Sequence, residues 1–291
     1  FIVNSPLNES SVIDLGYVIL NTTINDTEND SLYVRVYAVY NDSLETYKLI
    51  YENYSFASNN DLEFNFSGYM SELDNDSNMV LLMHFNNDSS VGENDSLVYD
   101  WTGNNNNGTC SGSNCSLFDP IAGRNRGAFV FDGIDDHFII SNSEILNPPE
   151  ITVAAWVKFN DLSGRQDFLS KHYDTPTQGY GFFKTASNTI AWSFLSQGAW
   201  RSHYTSVIEA DKWYHVIGTV GADGSAIYLN GQQEDISGFT NYTNGTGNLC
   251  IGCHLEDGSY FNGIIDEVVI YNKSLNASEV FELYSLKAGI Y

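Results

Sequence analysis

FNGIIDEVVIYNKSLNASEVFELY, residues 261–284, contains the one change of periodicity that this chain shows. Its first part, 264–271 (IIDEVVIY), is a short run of β-branched and aromatic residues and predicts a strand. The part that follows, 276–286 (NASEVFELYSL), predicts a helix, the only one the sequence suggests. Asn276 or Ser278 can cap its first turn, and Val280, Phe281 and Leu283 are expected to turn inward. Outward from this stretch everything reads as strand. Runs rich in Val, Ile, Tyr and Phe recur between Gly, Asn and Asp clusters: 17–24, 32–40, 45–52, 61–66, 127–131, 151–159 (ITVAAWVKF), 213–220 (WYHVIGTV) and 225–229. In 32–40 Leu32, Val34, Val36, Ala38 and Tyr40 share one face and Tyr33, Arg35 and Tyr37 the other, the period of two that marks a half-buried strand. The fold class is therefore all-β, a sandwich or jelly roll. Trp156 and Trp213 stand in alternating runs and are expected to anchor the core. Asn230-Gly231 suits a two-residue hairpin turn in which both residues have φ > 0.

From Met79 to about Leu286 the chain resembles the concanavalin A-like, laminin G-like jelly rolls of the pentraxin-related type. The matching segments, in order, are LLMHFNNDSS (81–90), VYDWTGNNNNGT (98–109), GAFVFDGIDDHFII (127–140), ITVAAWVKF (151–159), KWYHVIGTV (212–220), IYLNG (227–231) and the opening stretch. The resemblance implies two curved antiparallel sheets. Residues 1–68 resemble the first half of an Ig-like or fibronectin-III-like module, too short for the seven strands of a whole sandwich. A polar, acidic stretch at 68–78 separates the two parts, so the expected domains are 1–72, an Ig-like or partial β-sandwich, and 73–291, a laminin G-like jelly roll. An unfinished sandwich leaves sheet edges open, and FIVNS (1–5) or LKAGIY (286–291) could supply a strand to another copy.

Sixteen Asn-X-Ser/Thr triplets lie in the 291 residues, at Asn8, Asn21, Asn25, Asn29, Asn41, Asn53, Asn65, Asn75, Asn87, Asn94, Asn107, Asn114, Asn241, Asn244, Asn272 and Asn276. About 5 would arise by chance, so the sequence is expected to carry N-glycans on a solvated, extracellular surface. Twelve precede residue 117, four follow 240, and the middle has none, which marks it as packed core or a working face. Six carry Asp in the middle position, a residue that eukaryotic oligosaccharyltransferases are expected to disfavour, and an archaeal cell surface is the setting expected. The chain starts at Phe1 without Met, which suggests a mature product or an excised fragment. Net charge is −25, with 17 acids against 2 bases in residues 1–116. Such a surface disfavours nucleic acid and anionic membrane and attracts divalent cations. No run approaches the ~18 apolar residues of a membrane span.

The four cysteines form two local pairs, Cys110 with Cys115 and Cys250 with Cys253. In an oxidising setting they predict disulfides, the rival being a four-thiolate zinc site. Gly112 and Ser113 can turn the chain between the first pair. Pairing within 250–253 needs the strand to break at Gly252, so cross-pairing between the two segments stays open.

By resemblance, a Ca²⁺ site would use Asp132 and Asp135 of FDGIDD with Asp266 of GIIDEV, hard oxygen ligands. Asp132 and Asp135 could equally do no more than shape a turn. Where related domains place an acid, Asn86 or Asn87 stands here. The strand motif E-x-D-x-E of the related glucanases is absent, and the six His are scattered without a Ser or Cys nucleophile motif beside them. The reading is non-enzymatic: an extracellular structural or adhesive protein that assembles with copies of itself or other surface proteins, as a filament or layer. The alternative is a carbohydrate-binding module of a larger secreted protein, with Tyr180, Trp192, Trp200 and Tyr204 as the sugar platform in the sequon-free middle. Exposed aromatics would favour the lectin, buried ones the scaffold.

Overall fold

The structure is a computed structural model. It describes five backbone strands before residue 76 and the chain over 76–124, 127–174 and 177–289, with side chains over 76–124, 127–171 and 178–285. The chain divides into two compact units, Phe1–Ser71 with Leu283–Tyr291, and Glu72–Glu282. In the first, β1 (Ser11–Asp14) runs parallel to β3 (Val34–Val39), which pairs antiparallel with β4 (Tyr47–Asn53), while β2 (Asn21–Thr22) pairs with β5 (Leu62–Glu63). The Ig-like expectation and the free edge argued from it rest mostly on residues outside those described.

The second unit is a sandwich of two eight-stranded sheets. In chain order its strands are β6 (Met79–Met83), β7 (Leu97–Val98), β8 (Gly108–Thr109), β9 (Leu117–Asp119), β10 (Ala128–Asp132), β11 (Phe138–Ile140), β12 (Ile151–Phe159), β13 (Gln166–Asp174), β14 (Thr177–Lys184), β15 (Thr189–Ser196) and β16 (Ala199–Val207). Then come β17 (Trp213–Gly221), β18 (Gly224–Leu229), β19 (Gln232–Ser237), β20 (Leu249–Ile251), β21 (Cys253–His254), β22 (Ser259–Tyr260) and β23 (Asn262–Tyr271), followed by α1 (Ala277–Gly289). The inner sheet runs β19-β18-β17-β12-β23-β10-β9, with β6 also on β23; the outer sheet runs β16-β15-β14-β13-β20-β11-β8-β7. Between them lies one aromatic core. Phe85, Phe129, Phe131, Phe138, Phe159, Phe168, Phe182 and Trp192 are fully buried, and many meet edge to face.

Local chemistry explains several elements. Asn230 (φ 50°) and Gly231 (φ 76°) form the tight turn between β18 and β19, both left-handed as the dipeptide predicts. Asn276 Oδ1 accepts the Ser278 and Glu279 amides, and Glu279 Oε2 accepts the Asn276 amide, a reciprocal cap on α1. Val280 and Leu283 are buried, but Phe281 is 52% exposed. The inward placement expected of Phe281 is thus corrected: at 100° per residue it lies off the stripe that Val280 and Leu283 share. In VYDWTGNNNNGT the buried Asp100 carboxylate gathers the chain. It accepts the amides of Leu82, Thr102 and Asn106 and the Thr102 hydroxyl, which ties the loop to β6.

Trp156 is 3% exposed, stacked on His215 at 4.9 Å with the Arg124 guanidinium 4.9 Å from its ring. Two buried lysines close the ends of the core. Lys171 Nζ donates to Asn142 Oδ1 (2.6 Å), Gly245 O (2.9 Å) and Gly247 O (2.7 Å), while Lys184 Nζ donates to Leu162 O and Asn188 Oδ1.

Candidate functional site

The outer sheet has two unlike faces. Tyr180, Phe182, Ile190, Trp192 and Phe194 of β14 and β15 belong to the core, so Gly181, Phe183, Ala191, Ser193 and Leu195 face the other way. The register carries this second face across the sheet in one row: Leu97, Thr109, Ile139, Cys250, Ser170, Gly181, Ser193, Ser202. From Cys250 to Ser202 every side chain in the row is small, over about 19 Å for five strands at the usual spacing. Larger groups flank it. Phe183, Ala191 and Tyr204 form one adjacent row, and Leu195 with Trp200 begins the other. The result is a trough, a row of small residues between larger ones; Ser170 and Ser193 are buried, Ser202 and Trp200 half-buried, and only at β16 does this row reach solvent among the described residues.

Of the four expected platform residues, the structure places Trp200 and Tyr204 on the rims, Tyr204 being 49% exposed. Tyr180 and Trp192 are corrected: both are fully buried, their rings 5.8 Å apart, because their strand positions alternate onto the core face. Tyr180 Oη donates to Leu146 O, and burial raises its pKa well above that of a free phenol. One end of the trough is charged. Arg165 lies 4.2 Å over the Phe183 ring, forks onto Asp167 through two 2.8 Å bonds and reaches Asp257 at 3.5 Å.

The acidic loop lies elsewhere. Asp132, Asp135 and Asp136 bring carboxylate oxygens within 4.8 Å of one another. Asp132 Oδ1 accepts the Ile134 and Asp135 amides, and Asp136 Oδ2 accepts the Asp132 amide. Burial, then the neighbouring Asp132 and Asp135 charges, push the Asp136 pKa up to about 6. This all-oxygen donor set, crowded with like charge, fits a hard divalent cation. Asp266 is not in the group. Asp132 pairs with Asn262 on β23, so Asp266 lies four residues, about 13 Å, further along, opposite Trp156 and fully buried. Asp136, the last acid of FDGIDD, completes the group instead.

Two histidine constellations were also hidden by their separation in sequence. His203 Nε2 lies 2.9 Å from Ser225 Oγ and its Nδ1 3.1 Å from Asp235 Oδ2. The order is that of a nucleophilic triad, but Ser225 is 2% exposed, so a substrate has no approach. The network ties β16 to β18 and β19. His84 Nδ1 lies 2.8 Å from Oε1 of the buried Glu267, a residue held at φ 51° where the partner of β23 changes from β10 to β6.

The disulfides are Cys110–Cys115 and Cys250–Cys253. Gly252, at φ 87°, breaks the chain between β20 and β21, and a Cβ there would meet the Phe131 ring at 2.4 Å. Among the sequons whose side chains are described, Asn94, Asn241, Asn244, Asn272 and Asn276 are exposed, and Asn87, Asn107 and Asn114 are half-buried. Asn107 and Asn276 use Oδ1 for backbone contacts. Among the described residues, no helix is long and apolar enough to cross a membrane.

Two antiparallel sheets face to face around one core define a jelly roll of the concanavalin A-like class. The chain belongs to the concanavalin A-like lectin/glucanase superfamily, whose laminin G family model matches residues 132–281. None of the curated proteins compared matches it. Among solved structures it is similar to the binding domain of Paraclostridial mosquitocidal protein 1 (18% identity, TM-score 0.57, 71% of this chain and 52% of that one). It is also similar to Trypanosoma rangeli sialidase in complex with sialic acid (18%, 0.56, 74% and 34%). A third is domain 4 of the Geobacillus stearothermophilus arabinanase AbnA, in complex with arabinotriose (20%, 0.54, 71% and 98%). The chain thus spans about half of the toxin domain and a third of the sialidase. At these identities the likeness is one of fold.

Proposed function

We propose that the jelly roll is a non-catalytic glycan-binding module of an extracellular adhesive protein. The observation that carries this is the β16 end of the trough, where the half-buried Ser202 hydroxyl lies between half-buried Trp200 and the 49% exposed Tyr204 on one face of the strand. Sugar rings present apolar faces to aromatic side chains and hydroxyls to polar floors, and the trough offers both. Solved structures of the same fold include a domain described in complex with arabinotriose, which supports the reading. Hydrolysis on this fold would need two free carboxylates across the cleft. Asp167 and Asp257, which border the trough, both lie against Arg165. Binding is tested by a glycan array and by affinity electrophoresis in neutral polysaccharides. Retardation lost in Trp200→Ala and Tyr204→Ala supports the trough; no ligand on any glycan would remove it.

The sequons are read as occupied N-glycosylation sites of a cell-surface protein, in an archaeal setting, and two disulfides fit such an oxidising compartment. Glycopeptide mass spectrometry of native material decides this; fewer than about four occupied sites would remove the extracellular argument. Asp132, Asp135 and Asp136 are read as a Ca²⁺ site, with the ion joining carboxylates that otherwise repel.

A further inference from the structure

The sequons Asn87, Asn94 and Asn107 differ in which side-chain atom the fold uses. Asn87 Nδ2 donates to Asp95 Oδ1 at 3.0 Å and Asn94 Nδ2 to Gly92 O at 3.4 Å, so in both the nitrogen that would carry a glycan is engaged within the chain. Asn107 is the reverse. Its Oδ1 accepts the Asp100 amide at 2.8 Å, which restricts where the carboxamide can turn and leaves Nδ2 to a glycan. The triplet itself is Asn-Gly-Thr, without the central Asp of the triplets at Asn87 and Asn94.

Asp100 is the buried fixed point of the loop between β7 and β8, and the residue after it is its opposite: Trp101 is 37% exposed. The Trp101 amide donates to Leu82 O at 2.9 Å. Its ring packs edge to face with two others, 5.2 Å from His84 and 5.9 Å from Tyr99. His84 is fixed in turn by the buried Glu267 carboxylate, 2.8 Å from its Nδ1. Phe85, beside His84, and Glu267 both hold left-handed backbone, φ 56° and 51°, a conformation that bulky residues keep only where the surroundings impose it. The Trp101 ring is therefore held in place while more than a third of the residue stays in solvent.

We propose that Trp101 is the platform for this chain's own glycan: the first sugar on Asn107 lies with its apolar face against the Trp101 ring. The inference rests on the sequons being occupied, as proposed above. Asn107 Oδ1 is bound to the amide of the residue immediately before Trp101, so a sugar attached at Nδ2 starts beside the indole. A pyranose carries C–H groups on one face, and laying them on an aromatic ring removes apolar area of both from water. Both partners are preorganised, the ring by His84 and Tyr99 and the carboxamide by Asp100, so little conformational entropy is lost when they meet. The glycan then becomes part of the fold, covering an exposed tryptophan and fastening the loop between β7 and β8.

The test uses the full chain secreted from an N-glycosylating host. Thr109→Val removes the hydroxyl of the Asn107 sequon and keeps Asn107 itself, while Trp101→Ala removes the ring. Glycopeptide mapping should find Asn107 occupied in the parent chain and bare in Thr109→Val. Limited oxidation by N-bromosuccinimide, read by peptide mapping, should then attack Trp101 several-fold faster in Thr109→Val than in the glycosylated parent. In urea unfolding, Thr109→Val should lower the folding equilibrium constant about fivefold where Trp101 is present and less than about twofold in Trp101→Ala, a difference that measures the contact. The oxidation arm needs no Trp101 variant, so it decides the matter even where that variant folds poorly. Asn107 bare while other sequons are occupied, equal oxidation with and without the glycan, or an equal loss of stability in both backgrounds would overturn this contact and leave the sequon reading standing. No occupied sequon at all would remove both.

Discussion

The Ser193 and Ser202 hydroxyls lie 3.1 Å apart across β15 and β16, at the bottom of the trough and one residue pair away from both Trp200 and Tyr204. Neighbouring positions on the opposite face of the same two strands hold Trp192, Phe194 and His203 in the core. Binding and stability therefore reside on alternate residues. Trp200→Ala and Tyr204→Ala should each weaken glycan binding about tenfold, about 1.4 kcal/mol, with stability unchanged within about 0.5 kcal/mol. Trp192→Ala should instead cost about 3–5 kcal/mol in denaturant unfolding.

Asp136 ties metal binding to pH. Its folded pKa of about 6 lies above the ordinary 3.8, so the stability it lends through its neutral form is complete below pH ~4 and lost as pH rises through 6. Without Ca²⁺, the wild-type melting temperature minus that of Asp136→Asn should fall from pH 4 to 6. With Ca²⁺ the wild type should gain over the same range, since the ion competes with the proton. A Ca²⁺ response identical in Asp136→Asn and wild type would count against the site.

Lys171 should show the opposite slope. Burial lowers its pKa to about 8 from 10.5, so between those values the unfolded chain holds a proton that the folded one has released. Stability from this group then rises with pH across that window. Urea unfolding of Lys171→Met should be weaker than wild type by about 1–3 kcal/mol near pH 7, because the Gly245 and Gly247 carbonyls lose their donor. The deficit should widen between pH 8 and 9.5.

Gly252→Ala places a methyl group against the Phe131 ring from a left-handed backbone. A loss of about 1–3 kcal/mol, measured by thermal melting with both disulfides intact, is expected from overpacking alone. No loss would mean that the β20–β21 break is looser than drawn.

Much of this was legible in the sequence because it depends on local chemistry. The Asn230-Gly231 turn, the Asn276 cap and the inner-sheet strands β10, β12, β17, β18 and β23 follow from φ preferences, capping groups and apolar runs, none of which needs a distant partner. The strands of the trough were harder to see. β13 to β16 mix buried Lys171 and Lys184 with Gly, Ser and aromatic residues, and one face is deliberately small, so neither a clean period of two nor an apolar run appears. Residue type alone therefore put Tyr180 and Trp192 beside Trp200 and Tyr204, although strand phase sends the first two inward and the last two outward. Asp266 failed for a related reason: its distance from Asp132 depends on the β10–β23 register, a long-range pairing that no segment encodes by itself. The sequence by itself determined the tight turn, the helix cap and the apolar strands of the inner sheet. The tertiary structure alone decided which face each side chain joins, because a register shift of one residue exchanges core and surface throughout a strand.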